Sequence, residues 1–98
     1  MFNMFILVGK LKEIDEYENS FVMNCCVDPD KHTYEDIRVY TTTSIRNSLV
    51  KFAEIDGVIA VKGRIRGGYK GTMRIQAEKV SYLSQRKEGE ERNDSSTV

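Results

Sequence analysis

The sequence predicts an all-β fold: a five-stranded barrel with one short helix between the third and fourth strands. Five separate segments alternate apolar and polar residues, or are rich in β-branched and aromatic residues, as β-strands do. Only residues 45–54 place apolar side chains at helical spacing. The chain has 98 residues, which is enough for one domain and too few for two.

The first three strands are predicted at residues 4–14, 21–27 and 34–41. The polar segment between the first two is typical of a hairpin connection. Pro29, the only proline, ends the second strand because it cannot donate to a sheet ladder. The third strand alternates cleanly, which indicates one buried and one exposed face.

The predicted helix follows, with Ser44 as its N-cap and residues 45–54 as its body. The last two strands are predicted at residues 58–66 and 72–83, joined by a loop with three glycines. In the fifth strand the parity predicts that Met73, Ile75 and Ala77 face inward. Later apolar residues, Val80 and Tyr82, fall on the opposite parity, and this change predicts either a β-bulge or a switch between faces.

Three strands, a short helix and two strands make the order of an OB-fold barrel, whose open face presents strands and loops to oligonucleotides. We place this domain at residues 1–83. Residues 84–98 are almost free of apolar side chains, so we expect a disordered C-terminal tail.

Several function classes are excluded by composition. The apolar run at residues 4–8 is too short for a membrane span and lacks the features of a signal peptide, so we expect a cytoplasmic protein without membrane contact. Cys25 and Cys26 are adjacent and His32 is isolated, which predicts no metal site. No nucleophile, base or phosphate-loop motif is recognisable. We therefore expect neither an enzyme nor a cofactor.

Charge is sorted along the chain although the formal net charge is zero. Residues 62–79 contain six basic residues and one acidic residue, whereas residues 13–18 contain four acidic residues and no basic one. A neutral total therefore conceals a polarised molecule, which is compatible with a basic binding surface.

The basic segment has the spacing of a strand face that binds phosphates. Lys62, Arg64 and Arg66 alternate along the fourth strand, about 6–7 Å apart, and Arg74 lies on the strand that returns beside it. Arginine can also stack on bases. The alternative is an ordinary solvated face.

Tyrosines on the same outer parity predict stacking on bases, worth about 1–3 kcal/mol each. Tyr34 and Tyr40 flank Arg38, and Tyr69 lies beside Lys70 at the tip of the glycine loop. For the two strand tyrosines, cross-strand packing or a subunit interface is an equal alternative.

Two segments resemble the family of bacterial single-stranded DNA-binding proteins. They are Leu7-Val8-Gly9-Lys10-Leu11 and Ile55-Asp56-Gly57-Val58-Ile59-Ala60-Val61-Lys62-Gly63-Arg64-Ile65-Arg66. Ile37-Arg38-Val39 and the closing Ala77-Glu78-Lys79-Val80-Ser81-Tyr82-Leu83 also fit. The resemblance implies an OB fold, sequence-tolerant binding of single-stranded DNA and a homo-oligomer, a tetramer or a dimer as in the related primosomal replication protein. On matching positions it implies DNA contacts by Lys10, Arg38, Lys62, Arg64, Arg66 and Arg74.

Two departures qualify the type of member. The chain has no tryptophan, and residues 93–98 lack the acidic, Phe-terminated tip of bacterial members. These features suggest a divergent relative borne by a phage or mobile element, or one similar to the primosomal replication protein. They argue against recruitment of repair proteins through the tail.

Together these observations predict a protein that binds single-stranded DNA in replication, recombination or transfer, through a basic face with tyrosine stacking. Two alternatives stay open: an OB-fold adaptor that binds another protein, and an OB module that binds RNA.

Overall fold

Five strands and one helix make up the computed structural model, which describes residues 3–84 apart from the side chain of Tyr69. The elements are β1 (Phe5–Ile14), β2 (Ser20–Asp28), β3 (Thr33–Tyr40), α1 (Thr43–Phe52), β4 (Val58–Gly67), a 3₁₀ turn (Tyr69–Gly71) and β5 (Met73–Tyr82). The strands close into a barrel in the order β1-β2-β3-β5-β4. The predicted five-stranded OB-fold barrel with one helix between the third and fourth strands is confirmed.

Strand directions give the barrel two different ends. Every neighbouring pair is antiparallel except β3 and β5, which run parallel and meet at Tyr40 and Gln76. The hairpin tips before β3 and before β5 therefore lie at the same end, which we call the hairpin end. The β1–β2 turn and α1 lie at the opposite end, the helix end.

The barrel interior is filled by one side-chain face of each strand. Ten buried residues form this core: Leu11, Phe21, Met23, Cys25, Val39, Leu49, Ala53, Ile59, Val61 and Ala77. Leu49 and Ala53 come from α1, so the helix closes one end of the barrel with its apolar side. The alternation along the strands thus corresponds to a real inside and outside.

A β-bulge in β5 explains why its apolar pattern changes parity. Lys62 pairs with Lys79 and the next residue, Gly63, pairs with Ala77, so Glu78 is the extra residue. Because the bulge shifts the pleat by one position, Val80 and Tyr82 pack on the core after Ala77 does. The predicted bulge is confirmed.

The helix begins earlier than predicted. Thr42, and not Ser44, is the N-cap: its backbone is extended, and its Oγ1 accepts a hydrogen bond from the Ile45 N–H at 3.2 Å. Residues 41–44 are all Ser or Thr, so composition cannot choose the cap. β3 ends at Tyr40, and the Thr41 N–H still bonds to the Asn19 carbonyl beside the strand end, so Thr42 is the next residue that can act as the cap.

The inward prediction for Met73 is wrong. Its side chain is 73% exposed, whereas Ala77 on the same parity is buried. Met73 is the first residue of β5 and pairs with Gly67 at the tip of the β4–β5 hairpin, whereas the buried Ala77 lies in the middle of the strand. The side chains continue to alternate along the hairpin tip, but the tip extends beyond the barrel core, so neither of its faces is buried.

Only Ser84 of the predicted tail belongs to the described residues. The Val58 N–H donates to Ser84 Oγ at 2.7 Å, and the Ser84 N–H donates to the Val58 carbonyl at 3.2 Å. The remainder of that predicted segment, residues 85–98, lies outside the described part of the chain, as do residues 1 and 2.

No helix within residues 3–84 is long and apolar enough to cross a bilayer. In the same range, His, Cys, Asp and Glu side chains do not gather in groups of three or more that could hold a metal ion.

Candidate nucleic-acid interface

Cations stand directly opposite each other on the outer face of the β4–β5 hairpin. Arg66 pairs across the strands with Arg74, and Lys62 pairs with Lys79. Like charges in directly opposed positions destabilise an antiparallel pair. Among residues 3–84, no acidic side chain forms an ion pair with Arg66, Lys62 or Lys79. The hairpin therefore concentrates positive charge that a bound polyanion would neutralise.

Arg64 lies between these pairs and has an acidic neighbour. Its Nε is 3.0 Å from Glu78 Oε2, and both side chains are largely exposed. Glu78 is the bulged residue of β5, so no acidic residue interrupts the row of cations on β4 itself. Arg64 consequently contributes less free positive charge than its place in that row suggests.

Tyr40 and Arg74 join β3 to the hairpin. The Arg74 guanidinium carbon lies 4.3 Å from the centroid of the half-buried Tyr40 ring. A guanidinium stacked on an aromatic face is attracted by the ring quadrupole and loses freedom of orientation. The two side chains therefore form one fixed cation–aromatic unit, placed where β3 and β5 meet.

Arg38 is tied to the helix end of the barrel. Its Nη1 donates to Ser20 Oγ at 2.9 Å and lies 3.5 Å from Asp15 Oδ2. The backbone N–H groups of Tyr17 and Glu18 lower the pKa of the Asp15 carboxyl, with smaller contributions from Arg38 and Arg46. Arg38 thus faces outward, but part of its donor capacity holds the β1–β2 turn.

We call the surface that carries these groups the cationic face. It is the outer side of β4, β5 and the end of β3, with Lys62, Arg64, Arg66, Arg74, Lys79, Arg38 and Tyr40.

The remaining predicted contacts lie apart from this face. Lys10 on β1 pairs with Val58, four residues along β4 from Lys62, a separation of about 13 Å. Tyr34 is exposed and pairs with Cys26 near the β2–β3 tip. Lys70 lies in the 3₁₀ turn at a positive φ of 55°. The side chain of Tyr69, also predicted, lies outside the described residues.

A cleft adjoins the Tyr40–Arg74 unit on the side of the helix end. Its volume is about 260 Å³, and it is lined by Glu18, Asn19, Tyr40, Thr41, Arg74 and Gln76.

Four of these lining residues, Glu18, Asn19, Thr41 and Gln76, are not among the predicted contacts. The Thr41 N–H donates to the Asn19 carbonyl at 2.8 Å, and Asn19 Nδ2 donates to Thr43 Oγ1 at 2.9 Å. These bonds dock the β1–β2 turn on the end of β3. Since the partners are more than twenty residues apart in the chain, no local pattern could have indicated the cleft.

Comparison with known proteins gives structural matches but no match in sequence families. No protein-family model and no curated protein matches the chain. Rim1, a mitochondrial single-stranded DNA-binding protein from S. cerevisiae, matches with a TM-score of 0.72 and 11% identity over 87% of this chain and 98% of that chain.

Two bacterial structures are also similar. The N-terminal domain of PriB from Thermoanaerobacter tencongensis, described as dimeric, has a TM-score of 0.63 and 17% identity, covering 84% of this chain and 97% of that chain. A small single-stranded DNA-binding protein from Streptomyces coelicolor has a TM-score of 0.62 and 14% identity, covering 84% and 93%. The barrel of this chain therefore has the OB-type fold of these single-stranded DNA-binding proteins and of the PriB domain.

Proposed function

We propose that the protein binds single-stranded DNA through the cationic face, with little dependence on base sequence and without catalysing a reaction. One observation carries the proposal: the opposed pairs Arg66/Arg74 and Lys62/Lys79. A sheet that only had to fold would gain by alternating signs at such positions. Phosphates of a bound strand would supply the missing negative charge.

The contacts divide into charge and stacking. Lys62, Arg66 and Arg74 would contact phosphates, and Arg64 would join them when its pair with Glu78 opens. The Tyr40–Arg74 unit would provide a planar surface for a base. Tyr34, Tyr69 and Lys70, which belong to the hairpin end, would extend the path of the strand, and Arg38 and Lys10 would make peripheral contacts.

The similar structures support this assignment. Rim1 and the Streptomyces protein are single-stranded DNA-binding proteins with the same barrel. We further propose that this binding serves DNA replication, recombination or transfer in the cytoplasm.

Self-association is part of the proposal. Ile6 and Val8 are 64% and 52% exposed on the outer face of β1, and Met4 extends the same row. An apolar row of this kind is often covered in an assembly, and the similar PriB domain is dimeric. We propose that this row joins copies of the chain into a homo-oligomer, a dimer or a tetramer.

A titration of a labelled dT oligomer tests the binding proposal. We expect binding at about 50 mM salt that weakens steeply as salt increases. The salt slope is the decrease in log affinity per unit increase in log salt concentration. Arg66→Ala should reduce this slope by about 0.7, the contribution of one phosphate on a single strand. Lys51→Ala removes the same charge from α1, at the other end of the barrel, and should change affinity much less.

A variant that should bind DNA more tightly provides a second test. Glu78→Gln releases Arg64 and removes a negative charge from the cationic face, so it should increase both the affinity and the salt slope. Failure of dT to bind at low salt would refute the proposal. Tighter binding of a matched rU oligomer would assign the protein to RNA instead.

A further inference from the structure

The tip of the β4–β5 hairpin carries exposed apolar side chains on the side opposite its cations. We propose that bases of the bound strand pack on this inner side, against Ile65 and Met73, while phosphates of the same strand bind Arg66 and Arg74 on the outer side. This inference rests on the proposed binding of single-stranded DNA and adds to it an apolar contact that does not depend on charge.

The register of the hairpin assigns these residues to its two sides. Ala77 is buried, so its parity marks the inner side of β5. Ile75 and Met73 follow on the same parity toward the tip, and Ile65 pairs with Ile75 from β4. Arg74 has the opposite parity. Because successive residues of a strand point to opposite faces, this short stretch presents apolar groups on one side and cations on the other.

The inner side of the tip is open to solvent. Ile65 is 41% exposed and Met73 is 73% exposed, although both continue a face that is buried further along the hairpin. Within the described part of the chain, β3 pairs with β5 only at Gln76, so no strand lies along residues 73–75 on that edge. A Cβ on Gly67, which pairs with Met73, would have nothing within 4 Å. A bound strand can therefore follow the free edge of β5 and reach both of its sides.

Charge and size indicate a nucleic-acid strand, and not a second copy of the chain, as the occupant of this surface. Arg66 and Arg74 are paired at the level of the apolar side chains, and neither forms an ion pair with an acidic side chain of residues 3–84. A second hairpin would bring further cations to the same place. Two apolar side chains are also too few for the roughly 800 Å² that each partner buries in a stable interface. A nucleotide, in contrast, has a phosphate for the arginines and an apolar base face for Ile65 and Met73.

Met73 suits contact with any base. Its side chain is unbranched, flexible and polarizable, and a thioether sulfur packs favourably against aromatic rings. Every base has a π face that can accept such a contact. The apolar side of the tip therefore adds affinity without selecting a sequence, which agrees with the sequence-tolerant binding proposed above.

Salt dependence separates this contact from the charged contacts. Ile65→Thr keeps the β-branched shape and Met73→Gln keeps the length of the side chain, so each removes apolar surface without removing a charge. Each should weaken binding of a dT oligomer about threefold to tenfold, as partial burial of one apolar side chain predicts. The loss should be the same at every salt concentration, whereas Arg66→Ala should lower the salt slope. Val50→Thr changes a similarly exposed apolar residue on α1 and should alter neither quantity.

An oligomer of the same length whose sugars carry no bases tests the contact directly. It keeps every phosphate but offers no base to Ile65 or Met73. The wild-type protein, Ile65→Thr and Met73→Gln should therefore bind this oligomer with equal affinity, although they differ on dT. Comparing each substitution on the two oligomers forms a double-mutant cycle, which isolates the contact between side chain and base.

The outcomes separate this inference from the function on which it rests. If dT does not bind the wild-type protein at about 50 mM salt, the proposed function fails and the inference fails with it. If dT binds and both variants match the wild-type protein, the base contact is wrong and DNA binding stands. Equal losses on dT and on the oligomer without bases would show that the side chains support the hairpin and touch no base, which would also overturn the inference. Thermal unfolding of each variant confirms that the barrel is intact.

Discussion

At the scale of single residues, Gly63 occupies a position with no room for a side chain. It faces inward at the bulge, where a Cβ would collide with the carbonyl oxygen of Gln76 and lie 2.9 Å from the Cα of Ala77. These obstacles are backbone atoms, which cannot rotate away as a flexible side chain can. Gly67, four residues along the same strand, has nothing within 4 Å of the equivalent position.

Gly63→Ala should therefore lower the free energy of unfolding by about 1–3 kcal/mol through overpacking. Gly67→Ala makes the same chemical change in open space, so it should alter the stability by less than about 1 kcal/mol. Urea denaturation monitored by circular dichroism measures both. Equal effects in the two variants would show that the bulge tolerates a side chain.

The residues of β4 also show which features of the site the sequence predicts and which it does not. The alternation of Lys62, Arg64 and Arg66 was visible in the sequence, and their exposure follows from it. The pairing of Arg64 with Glu78 was not visible, because it depends on the register of β4 and β5 and on the bulge between them.

At the scale of elements, Asp15 holds the β1–β2 turn in place and connects it to β3. Asp15 Oδ1 accepts the N–H groups of Tyr17 at 2.7 Å and Glu18 at 3.0 Å, while Oδ2 faces Arg38. These donors hold the pKa of the Asp15 carboxyl below its ordinary value of 3.8. The turn thus orders itself locally and positions Glu18 beside the cleft.

A pH dependence follows from the direction of this shift. Because the folded pKa is below the unfolded pKa, the carboxylate stabilises the fold fully above pH 3.8 and loses this effect as pH falls through the folded pKa. Asp15→Asn should be less stable than wild type at neutral pH, and the difference should shrink as the pH falls below 3.8. Urea titrations at neutral pH and at a series of acidic pH values measure it; a difference independent of pH would contradict the assigned role. Asp56 is present in both proteins, so its own titration cancels.

The first residue of α1 depends on where the preceding strand ends. Apolar spacing correctly predicted α1, since Leu49 and Ala53 are buried. Its start was misplaced by two residues because four consecutive Ser and Thr residues are equivalent as caps, and only the end of β3 distinguishes them.

At the scale of the whole molecule, the barrel separates its surfaces. The cationic face occupies β4, β5 and the end of β3, whereas the apolar row consists of Ile6 and Val8 on β1 and of Met4 just before it. DNA binding and self-association are therefore proposed for different strands, and the two surfaces adjoin where Ile6 pairs with Lys62.

Replacing Ile6 and Val8 together by Thr should reduce the oligomer to monomers, because it removes apolar contact and keeps the β-branched shape. Val50→Thr changes an equally exposed apolar residue on α1 and should leave the mass unchanged. Light scattering coupled to size exclusion measures both. A monomeric wild-type protein at every concentration would refute self-association through β1.

By itself, the sequence determined the number of strands and their order along the chain, the presence of the helix, the change of parity in β5 and the row of cations on β4. All of these depend on periodicity and on local residue preferences, which act over a few positions. Only the tertiary structure decided that Arg66 opposes Arg74, that Arg74 stacks on Tyr40, and that the β1–β2 turn creates a cleft at Thr41. Closure of the barrel sets which strands are neighbours and in what register, and these contacts join residues too distant in the chain for any local pattern to reveal.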